Sequence, residues 1–162
     1  MVSVVVFLGY KNPVPLFNAA SLGSHNSYRP DTISLGVRAI SVGAYDGRTF
    51  SYADFSGRGP LRGGSGMLLK PDLVAPGVDI TTVAAGGGYA SFTGTSFATP
   101  FVTGAAALLM EWGIVNGNDP YLYGEKVKAY LRRGARPLPG FDVYPNPQVG
   151  YGALCVRESL PT

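Results

Sequence analysis

The sequence predicts an α/β fold, and three features of the sequence support this prediction. The continuous run of β-branched and apolar residues Val2–Leu8 is typical of a strand covered on both faces, as in a parallel sheet, and Ala39–Tyr45 predicts a second strand. A third apolar run, from Phe101 to Trp112, is too long for a typical strand and is rich in alanine and leucine. We therefore predict a buried helix there.

The amino-acid composition indicates a globular protein that neither binds nucleic acid nor spans a membrane. Apolar residues make up 46% of the 162 residues and charged residues 14%, which indicates a globular domain or a large piece of one. The net charge is +3 and the basic residues are scattered, so we expect no nucleic-acid interface. The longest apolar run is well short of about 20 residues, so we expect no membrane span. A single cysteine and the lack of metal-ligand spacing lead us to expect no disulfide, metal or cofactor.

Short elements are predicted between and after the two long strands. Turn-forming residues dominate 9–38, where we predict loop with one short helix near Leu16–Ala20. The next predicted elements are a short strand within Thr49–Asp54, a very short strand between Pro71 and Pro76, and a hairpin of Asp79–Ala84 with Tyr89–Thr93.

A second helix is predicted after the apolar one. Asp119 and Pro120 have the residue types of an N-cap and a first helical position, and Gly134 that of a C-cap. Apolar residues keep helical spacing between these ends, at Tyr123, Val127, Tyr130 and Leu131. We interpret the remaining polar and aromatic positions structurally: Glu125, Lys126 and Lys128 as a solvated helix face, Asp72 as a turn or cap residue, and Phe92, Phe97, Phe101 and Trp112 as core.

The strongest candidate for a catalytic motif is the heptapeptide Gly94-Thr-Ser-Phe-Ala-Thr-Pro100. Ser96 would lie in the first turn of the buried helix, where backbone N–H groups lack intrahelical partners and the helix dipole is positive. Negative charge developing on a substrate oxygen beside Ser96 would be stabilised there. The simpler interpretation is that Ser96 only caps the helix.

The whole heptapeptide resembles Gly-Thr-Ser-x-Ala-x-Pro, the nucleophile motif of the subtilisin-like serine peptidases. Four further stretches resemble other sequence motifs of this family, in the same order and with similar spacing: Ala39–Tyr45, Phe55–Pro60, Lys70–Gly77 and Val149–Gly152. The resemblance covers nearly all of the chain after about Ile33, and the tail resembles a clostridial branch that includes spore-germination proteases. It implies a three-layer fold with a mostly parallel sheet and a serine endopeptidase that forms an acyl-enzyme on Ser96.

Two motifs of this family do not occur in the chain. The family's catalytic aspartate lies in Asp-Ser/Thr-Gly and its histidine in His-Gly-Thr-His, both N-terminal to the serine. The single histidine, His25, has neither neighbour of that motif. We therefore interpret residues 1–162 as the C-terminal portion of a catalytic domain. We expect no peptidase activity from the chain alone, with a polypeptide substrate and the missing N-terminal half as its partners.

The sequence also leaves open which side chain donates the second hydrogen bond to the oxyanion that forms during catalysis. The family pairs the nucleophile's own N–H with an asparagine side chain that follows a core strand, and by register Tyr10 occupies that position. Asn18 and Asn12 are the candidates, and Asn18 fits the family's distance to the Ala39–Tyr45 strand within about a two-residue insertion.

Two functional hypotheses remain open. The chain belongs either to a serine endopeptidase with Ser96 as nucleophile, or to a degenerate, non-catalytic module that binds or regulates and keeps Ser96 as a helix cap. Asp and His motifs encoded in frame upstream would favour the enzyme. We further expect the chain to self-associate through an exposed sheet edge.

Overall fold

The computed structural model describes residues 4–6, 39–59, 61–63 and 66–161 of the chain. The helix predicted near Leu16–Ala20 lies outside these residues, as do Tyr10, Asn12, Asn18 and His25. In chain order the described elements are β1 (Val4–Val6), β2 (Ile40–Asp46), β3 (Ser51–Tyr52), β4 (Leu61–Gly63), β5 (Gly66–Leu68), β6 (Leu73–Pro76), β7 (Ile80–Val83), β8 (Tyr89–Phe92), α1 (Thr95–Met110), a π-helical turn (Glu111–Val115), α2 (Gly124–Arg133) and α3 (Val156–Ser159).

Strand β2 is the centre of the main sheet in the described part of the chain. It pairs antiparallel with β1 and β3 and parallel with β6, with Val42 opposite Leu73 and Tyr45 opposite Pro76. The residues from Ile40 to Tyr45 are all buried. The predicted strand at Ala39–Tyr45 is therefore confirmed as β2, and it is buried on both faces.

Both faces of this sheet are covered. Neighbouring residues of a strand point to opposite faces, so Leu73 of β6 packs with the α1 side while Val74 points away from it. Val74 lies in a second apolar cluster with Leu138, Val149 and Ala153 of the C-terminal segment. A sheet with a helix on one side and a packed segment on the other is the α/β arrangement that the sequence predicts.

The direction of β1 differs from the mostly parallel sheet that the resemblance implies. Strands β1 and β3 both run antiparallel to β2, so β2–β6 is the parallel pair among the described strands of this sheet. A β-branched, apolar run indicates a strand. It carries no information about direction, because a strand can bury the same side chains whichever way it runs.

Two hairpins form separate two-stranded sheets. Strands β7 and β8 form the predicted hairpin, and Gly86, Gly87 and Gly88 in its turn all have positive φ, which glycine adopts without strain. Strands β4 and β5 form a second hairpin that the sequence does not signal. Its two three-residue strands are rich in glycine and show no alternation of apolar and polar residues.

Helix α1 is the predicted buried helix, and the π-helical turn extends it to Val115. Its inner face contributes Val102, Ala105, Ala106 and Leu109 to the main core. The continuous helical segment of 21 residues, with a mean hydropathy of 1.3, is long and apolar enough to cross a membrane by length and composition alone. Core helices share these properties, and α1 packs against the sheet.

Helix α2 begins later than predicted. Tyr123, in an extended conformation, precedes its first residue, and the Asp119 carboxylate accepts a hydrogen bond from the Tyr130 hydroxyl and pairs with Lys126 instead of capping the helix. The predicted N-cap is therefore wrong, because the chain makes a separate turn after Asp119, closed by the Leu122 N–H donating to the Asp119 carbonyl, and the helix begins only after the extended Tyr123. The predicted C-cap, Gly134, is confirmed.

Candidate active site

Ser96 is the second residue of α1, as the sequence predicts, and it is half-buried. Gly94 is the N-cap residue of this helix, and no side chain caps the helix at this end. The Gly94 carbonyl accepts a hydrogen bond from the Phe97 N–H at 3.1 Å. Ser96 lies two positions after the N-cap residue, so its hydroxyl does not have the capping role of the simpler interpretation.

The first turn of α1 rests directly on the end of the main sheet. The Gly94 N–H donates to the Gly77 carbonyl at 2.8 Å, and the Gly77 N–H donates to the Tyr45 carbonyl of β2 at 3.0 Å. A Cβ at Gly77 would lie 2.7 Å from Ala44 Cβ and 3.0 Å from the Gly94 carbonyl oxygen. Glycine at position 77 therefore allows the chain before Ser96 to approach the sheet closely.

Ser96 lies at the positive end of the helix. Its N–H belongs to the first turn of α1, where no carbonyl four residues earlier is part of the helix. Pro100 has no N–H, so it cannot donate to the Ser96 carbonyl four residues earlier. The Thr99 hydroxyl donates to the Thr95 carbonyl at 3.1 Å, so this side chain also bonds within the first turn of the helix.

Aromatic rings border this turn. Phe92 of β8 and Phe97 of α1 stack with ring centroids 5.1 Å apart and planes 13° apart, and both side chains are half-buried. Phe92 precedes Ser96 in the chain and Phe97 follows it, so their stack packs β8 against the first turn of α1. Phe101 was predicted to be core, but it is 43% exposed, and that prediction is wrong.

Ser96 is the one predicted site residue among the residues that the structure describes. Asn18, Asn12 and His25 lie outside the described ranges, so their distances to Ser96 are not defined by it. In the part of the chain that the structure describes, there is no histidine and no group of three metal-ligating side chains.

The strongest electrostatic feature is a buried ion cluster that the sequence did not reveal. Asp72 is 0% exposed, and its Oδ2 accepts hydrogen bonds from Lys70 Nζ at 2.8 Å and from the Ser41 N–H at 2.7 Å. Its Oδ1 lies 3.2 Å from Lys128 Nζ and accepts a hydrogen bond from Arg132 Nε at 3.1 Å. One carboxylate thus links the start of β6 to β2 and α2, and it is neither the predicted turn nor a cap.

Burial and charge act in opposite directions on this cluster. Burial raises the pKa of Asp72, but the ammonium groups of Lys128 and Lys70 and the guanidinium of Arg132 more than offset it and hold that pKa below its usual value. Burial lowers the pKa of Lys128 to about 8, against the opposing attraction of Asp72. The prediction that Lys128 lies on a solvated face is therefore wrong, because its ammonium reaches Asp72 and donates to the Ala39 carbonyl at 2.6 Å.

The chain is similar in sequence to known serine proteases. A family model described as the subtilase family matches residues 16–152. Serine protease AprX of Bacillus subtilis (strain 168) is 32% identical over 144 residues, which cover 76% of this chain and 30% of AprX. Alkaline elastase YaB of Bacillus sp. (strain YaB) is 45% identical over 102 residues, which cover 63% of this chain and 23% of the elastase.

Solved structures show the same likeness. The CspB protease of Clostridium perfringens is 47% identical with a TM-score of 0.68, and the match covers 74% of this chain and 25% of that protein. The self-cleaved protease domain of PatA is 30% identical with a TM-score of 0.62, and the match covers 79% of this chain and 42% of that one. The predicted subtilisin-like fold is confirmed, and the clostridial neighbour agrees with the predicted branch. The chain spans less than half of the length of each of these four relatives.

Proposed function

The chain belongs to the subtilase family, and on that premise we propose that Ser96 is the nucleophile of a serine endopeptidase. The observation that supports this proposal is the position of Ser96: half-buried, in the first turn of an apolar helix, and without a capping role. A serine that served only the helix would be expected at the N-cap, where Gly94 lies instead.

The proposed reaction is acyl transfer. A base removes the proton of the Ser96 hydroxyl, Oγ bonds to the carbonyl carbon of the peptide, and the C–N bond then breaks as the amine leaves with that proton. Water hydrolyses the ester that remains. The Ser96 N–H, at the positive end of α1, is placed to stabilise the oxyanion, and we propose the side chain of Asn18, or alternatively Asn12, as the second donor.

The base and the acid that orients it would come from polypeptide that carries the family's His-Gly-Thr-His and Asp-Ser/Thr-Gly motifs, because neither occurs in these 162 residues. In subtilisin, which is the standard example of such deletions and a member of this family, removal of the base lowers kcat by about 10⁶-fold. We therefore propose that the chain alone has no measurable peptidase activity.

A fusion tests this function. We propose that the part of the C. perfringens CspB protease preceding its match to this chain supplies the base and the acid. That part is joined to the full chain, and hydrolysis of a peptidyl nitroanilide is measured. We expect turnover by the fusion and none by the chain alone. Ser96→Ala should abolish turnover, whereas the matched control Ser91→Ala, at an exposed serine of β8, should retain it.

The result that would contradict the proposal is a folded fusion, verified by circular dichroism, whose turnover is zero or is unchanged by Ser96→Ala. That result would favour the second hypothesis, a subtilase-derived module that binds or regulates without cleaving peptides.

A further inference from the structure

The bend that follows the π-helical turn exposes an asparagine–glycine pair. Asn116 and Gly117 are both exposed, and so are Val115 before them and Asn118 after them. Asn116 is the only asparagine of the chain that a glycine follows. Exposure and a neighbour without a side chain leave the Asn116 amide open both to solvent and to the backbone nitrogen of the next residue.

We propose that Asn116 is a site of spontaneous deamidation, which needs water but no enzyme. The Gly117 backbone nitrogen attacks Cγ of Asn116, and a C–N bond forms. The bond from Cγ to the side-chain nitrogen breaks, and ammonia leaves with the proton that the backbone nitrogen loses. Water then opens the resulting succinimide ring at either carbonyl carbon. The products are aspartate or isoaspartate, whose main chain runs through the former side chain.

The fold does not restrain the attacking nitrogen. The Gly117 N–H donates no backbone hydrogen bond to the residues that the structure describes, whereas the Asn116 N–H donates to the Glu111 carbonyl at 2.9 Å. Gly117 has a φ of 75°, and an added Cβ there would meet no atom within 4 Å. Glycine at this position therefore opposes ring closure neither through a side chain nor through packing against its surroundings.

Rotation about one bond separates the bend from the reactive arrangement. Asn116 has a ψ of 0°, which turns the Gly117 nitrogen away from the Asn116 Cβ. Ring closure requires rotation about the Cα–C bond until this nitrogen and Cβ are eclipsed. The rotation opposes the hydrogen bond that Asn118 Nδ2 donates to the Trp112 carbonyl at 2.8 Å, but it moves no buried side chain of the bend. The rate of deamidation therefore depends on how readily this bend opens.

A second pair, Asp46 and Gly47, has the protection that Asn116 lacks. An aspartate before glycine forms the same ring by losing water. The Asp46 carboxylate accepts a hydrogen bond from the Arg48 N–H at 2.9 Å, and its side chain is only 17% exposed. A Cβ at Gly47 would lie 3.3 Å from Pro76 Cβ, so the main chain is packed there. We therefore expect no isoaspartate at Asp46 under conditions that convert Asn116.

The modification would alter the connection between α1 and α2. A carboxylate at position 116 adds negative charge at the carboxyl end of the helical segment Thr95–Val115, where the helix dipole is already negative. Isoaspartate also adds one main-chain atom between Gly113 and Asp119, and the Asp119 N–H donates to the Gly113 carbonyl at 2.9 Å. Both products therefore act on the bend that closes this connection.

Mass spectrometry of the full chain tests the site. The folded chain is kept at neutral pH and physiological temperature, and samples are digested briefly with an endoproteinase that cleaves after glutamate. The peptide 112–125 contains both Asn116 and Asn118, and fragmentation that distinguishes aspartate from isoaspartate quantifies each position. Asn118 lies in the same exposed bend but precedes Asp119, so it is the matched control within one peptide.

We expect Asn116 to lose its amide at least tenfold faster than Asn118, with isoaspartate in excess of aspartate. The rate should rise with pH, because the attacking nitrogen must lose its proton. Gly117→Ala should slow the reaction at least fivefold, even though alanine at a positive φ would loosen the bend.

Three results would overturn the inference. Equal rates at Asn116 and Asn118 would show that the pair is not a special site. Aspartate without isoaspartate would show that water hydrolyses the amide directly, with no ring. Conversion in urea but not in the folded chain would show that the bend protects the pair as the Asp46 turn does.

Discussion

Helices α1 and α2 differ in how much of their apolar surface is buried in the described part of the chain. Helix α2 turns Glu125 and Arg133 outward, buries Val127 and Leu131, and sends Lys128 to the buried carboxylate of Asp72. Helix α1 buries one apolar face and exposes another. The comparison shows that apolar composition alone can specify a helix even where part of its apolar surface stays exposed in the described part of the chain.

The largest effect is expected at the buried carboxylate. Asp72→Asn keeps the shape of the side chain but leaves Lys70, Lys128 and Arg132 without their anion. We expect the free energy of unfolding to fall by about 3–5 kcal/mol, measured by urea denaturation. Asp142→Asn, at an exposed aspartate, is the control and should change it by less than about 0.5 kcal/mol. Similar losses from both variants would show that the ion cluster does not hold α2 to the sheet.

Adjacent leucines compare the two faces of α1. Leu109 is fully buried, so Leu109→Ala should lower the free energy of unfolding of the chain by about 2–5 kcal/mol. Leu108→Ala should lower it by less than about 0.5 kcal/mol, because its side chain is exposed in the chain alone. A large loss from Leu108→Ala, measured by the same denaturation, would mean that the apolar face is already covered.

Alkaline pH is expected to stabilise the fold through Lys128. Its pKa is about 8 in the folded chain, below the ordinary value of 10.5, so between these pH values the unfolded chain binds more protons. The free energy of unfolding should then rise with pH, by at most about 1.4 kcal/mol per pH unit from this group. Asp72, Lys70 and Arg132 are the charged groups that face it.

The contribution of Lys128 is isolated by difference. Lys128→Met should remove this rise, so the variant and the original chain are compared by urea denaturation at pH 7.5 and pH 10. The same slope in both proteins would contradict the assignment. Other titrating groups cancel in this comparison because both proteins contain them.

The smallest effect is expected at Gly104. Because open space surrounds it, Gly104→Ala should raise the free energy of unfolding of the chain by up to about 1 kcal/mol through helix propensity. Thermal unfolding by circular dichroism measures this. Destabilisation would indicate that something already lies against the helix at this point.

Elements whose formation depends on neighbouring residues could be predicted from the sequence. The strand β2, the β7–β8 hairpin, helix α1 and the C-cap at Gly134 were all predicted correctly. They depend on apolar runs, a glycine turn and helical composition, and each can be read from neighbouring residues. Helix α3, with four residues, is too short to show any periodicity, and it was not predicted.

Long-range contacts explain what the sequence did not reveal. Lys128 looks like a surface lysine among Glu125 and Lys126, and only the fold brings it to Asp72, 56 positions earlier in the chain. Asp119 looks like a cap, but its partners Tyr130 and Lys126 lie on the next helix. For the active site, the motif predicted the place of Ser96 in α1, while Asn18 and Asn12 remain predictions.

Covalent labelling of Ser96 tests the central claim most directly. The chain alone and its fusion to the CspB protease segment described above are treated with a fluorophosphonate, and the modified peptide is identified by mass spectrometry. We predict an adduct on Ser96 in the fusion and none in the chain alone over the same time. An adduct on a different serine, or equal labelling of Ser96 with and without the fused part, would contradict a nucleophile that depends on a base from that polypeptide.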